Sequence, residues 1–370
     1  MPNKRTSFNK QINYVSLSFS KALDMDYDAL RQVGDPVADE ILETIPQALQ
    51  QQELSKRILS TSTFDVQTAK QLDGIRSFFG KMMPFSGLVL LCGSLPAAYS
   101  AAKGATILRC TGRLQKEPRL RIMETSFFLS EIFEHPYLEN NQPVDLKLHS
   151  GFQAVVKVRL LHARVRQHVM KATSYNCQEM GIPINQEDMM GTLTVFSYVL
   201  LLGLSRLGIK TSAQERESYA TFWNIIGNWM GVQHSFQSLH EQEKVCQQIF
   251  ERQCTPDLQS KLLVQNLFKK VIPPQLSELK KRKLSRAFST LTHMLDKELA
   301  LRLELECSVY HIITWKISIW MFQLILLVDS LLLFCFGISL RQRTGKTMRL
   351  VAKKVMNKSG VDSPFEFRLA

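Results

Sequence analysis

The sequence lacks most of the signatures that mark the common enzyme classes. There is no HExxH, no pair of histidines at metal-ligand spacing and no GxSxG, which sets aside zinc and serine hydrolases. GxGxxG and P-loop patterns are missing, and nucleotide-dependent chemistry goes with them. Strict apolar–polar alternation and Asn-Gly or Asp-Gly turns are scarce, so extended structure is minor. Glycine (17) and proline (13) are too few in 370 residues for a collagenous or low-complexity chain. The seven cysteines, Cys92, Cys110, Cys177, Cys246, Cys254, Cys307 and Cys335, are odd in number and scattered, with no CxxC. That argues against a disulfide framework or a structural zinc site and favours a reducing compartment. The first thirty residues hold no apolar core of a signal peptide, so a cleavable secretion signal is not expected. A mean hydropathy of −0.08 is too polar for a polytopic membrane protein, yet it leaves room for one or two apolar segments.

Acids are also in short supply. Lysine and arginine number 46 against 33 aspartates and glutamates, a net charge of +13, which calls for an anionic partner. Much of the excess sits in two places. Residues 269–286 carry seven basic residues against Glu278, and residues 341–370 carry eight against two acids. Between them, residues 313–340 are apolar. From Lys316 to Arg341 there are 24 residues with only Asp329 charged, long enough to cross a bilayer, and Trp315 and Trp320 stand at the near end as an interfacial belt would. Cations flanking such a segment suit an anionic membrane surface. The alternative, a nucleic-acid binder, finds no zinc-finger spacing, no RNA-binding signature and no aromatics within the basic runs, so no nucleic acid is expected. The segment could span, lie in the interface as a hairpin, or pack on the domain with Asp329 paired. With no signal to carry it across, the main domain is expected on the cytoplasmic side.

Along the rest of the chain the periodicity is helical, and the fold is read as all-α. Residues 1–75 form a polar helical extension, in which Asp35 before Pro36 starts a surface helix. Residues 84–107 are apolar and broken by Pro84, Gly93, Pro96 and Gly104, which suggests short, closely packed buried helices. Leu193 to Leu207 is apolar on nearly all sides and suits a core helix. The full division is an extension (1–75), a core (76–268), a basic connector (269–312), the apolar segment (313–340) and a basic tail (341–370).

Two elements carry candidate chemistry. In residues 151–172, Val155, Val158, His162, Val165 and Val169 make one helix stripe with a histidine at its centre, and Arg159, Arg164 and Arg166 are close by. A neutral imidazole in an apolar wall, with arginines for propionates, suits a haem ligand; a hydrogen-bonded core histidine gives the same pattern. In residues 119–133, Arg121 and Thr125 are four apart and share a face, where they could bind a carboxylate or donate to bound oxygen. A surface ion pair of Arg121 with Glu124 or Glu131 is the alternative.

Six segments in order then resemble the family of MpaB and latex-clearing-protein (rubber) oxygenases: residues 34–41 (GDPVADEI), 94–114 (SLPAAYSAAKGATILRCTGRL), 119–128 (RLRIMETSFF), 158–166 (VRLLHARVR), 181–198 (GIPINQEDMMGTLTVFSY) and 219–232 (YATFWNIIGNWMGV). The resemblance implies a globin-like helical core around haem b, with His162 as axial ligand and Arg121 and Thr125 in the haem pocket. It also implies O2-dependent chemistry on a hydrophobic, isoprenoid or lipid-like, substrate. Glu124 departs from the lysine that rubber oxygenases carry before that threonine. A membrane-associated helical protein that binds lipid without catalysis is the rival expectation.

Overall fold

The computed structural model describes residues 25–111, 118–172 and 175–336. The basic tail at 341–370, the end of the apolar segment at 337–340 and the first 24 residues lie outside these. The described chain is mostly helical. In order it runs α1 (Tyr27–Arg31), α2 (Pro36–Thr44), α3 (Gln47–Thr61), α4 (Val66–Val89), a π-helical turn (Leu90–Ser94), α5 (Leu95–Ser100), α6 (Ala102–Thr111) and α7 (Pro118–Glu134). There follow a two-stranded hairpin, α8 (Ser150–Met170), α9 (Cys177–Met180), α10 (Gln186–Phe196), α11 (Tyr198–Arg206) and α12 (Ala213–Trp229). The chain continues with α13 (Leu239–Gln253), α14 (Leu258–Val271), α15 (Glu278–Leu295), α16 (Lys297–Arg302) and α17 (Val309–Phe336).

Local chemistry sets most of these boundaries. Asp35 accepts from the Ala38 amide and Pro36 occupies the first turn of α2. Ser212 and Glu215 close a reciprocal capping box on α12. The hairpin pairs Leu138 with Pro143 and Glu139 with Gln142, turning through Asn140 and Asn141, both at positive φ. It is the sole sheet among the described residues. The expected break at Pro84 does not occur: α4 runs through it, the helix loosens at the π-helical turn just before Pro96, and it breaks at Ala101, which is extended. Proline has no N–H to give the carbonyl one turn back, and a π turn is a low-cost way to absorb that loss.

The core is aromatic at its centre. Phe133 stacks on Phe79 at 3.8 Å and on Phe222 at 4.7 Å, with Trp223 edge-on to Phe133 and Phe222. These contacts bring α4, α7 and α12 together. Residues Gln186–Arg206 form a helical stretch, apolar and long enough to cross a membrane, that is broken at buried Ser197 and 56% buried inside the fold. It is the core helix expected from residues 193–207. Helix α8, which carries His162, is wedged among α2, α3 and α7.

Candidate functional site

Helix α8 is capped by His149, whose Nδ1 accepts from the Phe152 amide at 3.3 Å. From that cap its inward face carries Phe152, Val155, Val156, Leu160, Ala163 and Val169, all buried. Val158, His162 and Val165 keep part of their surface uncovered. The stripe read from the sequence is therefore real but split: its ends are core, and its middle, around His162, is not wholly covered by protein.

The arginines of this helix, read from the sequence as suited to haem propionates, are each engaged within the protein, although Arg166 Nη2 is buried without a hydrogen-bond partner. Arg159 grips Asp35 through two hydrogen bonds (2.6 and 2.8 Å) and donates to the Trp229 carbonyl. Arg166 pairs with Asp39 at 2.9 Å and donates to the carbonyls of Pro183 and Ile184. Arg164 donates to Gln50. Asp35 was expected on a surface helix and is instead buried, because one carboxylate both caps α2 and neutralises Arg159. Gln186 completes the clamp: its amide donates to the carbonyls of Gly34 and Gly231 and accepts from the Gln233 amide. Segments 34–41, 158–166, 181–198 and 219–232 thus converge on one polar knot that fixes the rotation of α8. Sequence reading missed that knot. Arg159 and Arg166, seven apart on one side of the helix, and acids four apart just after Gly34, were the available signal.

His162 stands one turn before Arg166. Its Nδ1 is buried and has no hydrogen-bond partner. Burial pushes the imidazole down to about 4, and the guanidiniums of Arg166 and Arg121 push the same way. At neutral pH the ring is uncharged and keeps a lone pair for a metal. This disfavours the reading of His162 as a hydrogen-bonded core histidine. An imidazole whose Nδ1 is buried without a protein acceptor, and whose protonation is disfavoured first by burial and then by the nearby guanidiniums, fits a single-histidine haem ligand. Among the described residues there is no group of three or more histidines, cysteines or acids that could hold a metal ion without such a cofactor.

Helix α7 packs directly on α8 and brings Arg121 within electrostatic reach of His162. Arg121 and Thr125 share one face, both half-buried, and the Thr125 hydroxyl donates to the Arg121 carbonyl at 3.0 Å. Arg121 also pairs with the buried carboxylate of Glu124 at 3.0 Å. Tyr99, on α5, enters the same region. Its phenol is pushed up to about 12 by burial, against the pull of Arg121. Sequence reasoning gave Tyr99 no role.

The region from residue 81 to 321, about two thirds of the chain, matches the catalytic domain described as ER-bound oxygenase mpaB/B'/Rubber oxygenase. The chain belongs to this family. Among solved structures, the latex clearing protein LCP in its closed state shares the fold, with a TM-score of 0.57 and 18% identity over 78% of this chain and 83% of that one. Comparison with curated proteins finds no match. The MpaB/LCP assignment decides between the rival expectations: the chain is an oxidoreductase, a haem-dependent oxygenase of a family that works near membranes on hydrophobic substrates, and not a passive lipid carrier. All of α7 and α8, with Arg121, Thr125 and His162, falls inside the matched region.

Proposed function

We propose that the protein binds haem b through His162 and oxygenates an isoprenoid or other lipid-like molecule drawn from a membrane. The observation that carries this is the unpartnered, neutral imidazole of His162 inside the family's catalytic region. When bound, the haem supplies the O2 chemistry that no side chain of this chain can perform alone. The chain's own residues do the rest. The Asp35–Arg159 and Asp39–Arg166 pairs hold α8 so that His162 keeps one orientation. Arg121 and Thr125 bind and orient a haem propionate or O2, and Glu124 holds the Arg121 side chain against α7. Val158 and Val165, on the same helix stripe as His162, give the site an apolar border that favours an apolar substrate.

In this reading residues 76–268 wrap the cofactor in a globin-like core, with 1–75 as an extension, 269–312 as a basic connector, 313–340 as the membrane-associated segment and 341–370 as a basic tail. The oxygenase core works from the cytoplasmic side of an anionic membrane. Oxygen uptake tests the proposal. Full-length protein supplied with haem should consume O2 only when an isoprenoid or unsaturated lipid is present. Arg121→Leu should keep the haem and lose about tenfold or more in rate. Haem-loaded protein that oxidises no apolar substrate would contradict the reading.

A further inference from the structure

Helix α17 is two-faced over its first half. Tyr310, Ile313, Ile317, Trp320, Met321 and Leu324 recur every three or four residues and are 47–69% exposed, far more than isolated surface apolars require. The opposite face is spent on the domain. Trp315 Nε1 donates to the Ala287 carbonyl at 2.9 Å, Ile319 is buried, and Gln323 donates to the Gly208 carbonyl. Helix α15 lies alongside, and Lys283 and Arg286 are within electrostatic reach of His311. Lys280, Arg282 and Lys283 are exposed and have no ion-pair partner among the described residues. A stripe of large apolar side chains bordered by unpaired cations matches an anionic lipid surface in both shape and charge.

The packing also decides the orientation. From Tyr310 to Leu324 the helix advances about 20 Å while pinned to α15 and to the turn at Gly208. If this half crossed the hydrocarbon, the cations of α15 would have to enter with it, which the low dielectric of the hydrocarbon opposes. We propose that the first half of α17 lies flat in the interface of an anionic bilayer, apolar stripe down, with the α15 cations at headgroup level. Only the apolar sequence beyond it is left to penetrate deeper. The core is thereby held at a fixed tilt against the lipid, which suits a site that takes its substrate from the membrane. This rests on the membrane reading given above and goes beyond it by naming the face and its orientation.

Of the four tryptophans, Trp223 and Trp229 are buried, Trp315 is half-buried and Trp320 is exposed, so fluorescence reads the geometry. Full-length protein is reconstituted into vesicles of phosphatidylcholine with phosphatidylserine, carrying bromines near the headgroup or near the chain end. Quenching by the shallow bromines should exceed quenching by the deep ones, and Trp320→Phe should abolish most of it. Reversing the cations (Lys280→Glu, Arg282→Glu, Lys283→Glu) should reduce shallow quenching at least several-fold and leave the protein membrane-bound through its apolar run. Ile313→Glu with Ile317→Glu should do the same. Stronger quenching by the deep bromines would mean that this half of the helix spans, and would overturn the proposal. Vesicle-bound protein whose Trp320 is not quenched would overturn it while leaving the membrane reading intact. Failure to associate with any vesicle would contradict both.

Discussion

Glu124 occupies the position before Thr125 at which rubber oxygenases carry lysine, and its carboxylate lies 3.0 Å from Arg121. A lysine there would repel that guanidinium; the glutamate fixes it, so the charge beside His162 is a paired one. Histidines show the opposite economy. His149 and His162 are both held neutral by burial, each pushed down to about 4, and each has one ring nitrogen buried without a partner. Because the unfolded chain takes up these protons near the ordinary histidine value of about 6.5 and the folded chain only near 4, stability is complete above the first value and is lost as pH falls towards the second. His149→Asn keeps the cap on α8 and removes one titration. The urea midpoint of the wild type should fall further between pH 7 and pH 5 than that of the variant, by an amount worth up to about 2 kcal/mol. Equal falls would show that His149 does not contribute.

At the scale of elements, the helix stripe around His162 was readable because its cause is local: residues three and four apart share a face. The shared face of Arg121 and Thr125 was readable for the same reason. The knot behind α8 was not, because Asp35 and Arg159 are 124 positions apart and only the tertiary fold joins them. Once joined, they are unforgiving. Gly231 has φ +91°, and an added Cβ would sit 2.6 Å from Asp35 Oδ2 and 2.8 Å from Arg159 Nε. Gly231→Ala should therefore disrupt a buried ion pair as well as strain the backbone, costing about 2–4 kcal/mol in thermal or urea unfolding. Gly74, exposed in the middle of α4 with nothing within 4 Å of its added Cβ, is the control. Gly74→Ala should stabilise by roughly 0.5–1 kcal/mol. Similar losses from both would remove the special role given to the knot. Pro84 is the reverse lesson: a residue that reads as a helix breaker lies inside α4, whose helix continues to Val89 despite one missing backbone donor.

For the whole molecule, charge and apolar surface are segregated. The basic run at 269–286 leads into α15, whose Lys283 and Arg286 lie near His311 of α17, while Arg121, Arg159 and Arg166 around His162 are each paired with an acid. The sequence showed where the cations and the apolar run lie, but not that α17 begins by packing on α15, since that contact depends on Trp315 and Ile319 turning away from the stripe. The consequence is specific for truncation. A chain ending after Ile325 keeps both contacts and should stay folded. A chain ending after Leu305 uncovers the apolar side of α15 and should aggregate or lose several degrees in melting temperature. Equal behaviour of the two would mean that α17 contributes nothing to the domain.

The central claim is that one neutral histidine on α8 holds the cofactor of an oxygenase. The absorbance spectrum of purified protein after expression with added haem tests it most directly. Wild type should show a Soret band with haem near one per chain, and His162→Ala should lose it while keeping its helical circular dichroism. A folded wild-type protein without haem, or a His162→Ala variant with an unchanged Soret band, would contradict the account.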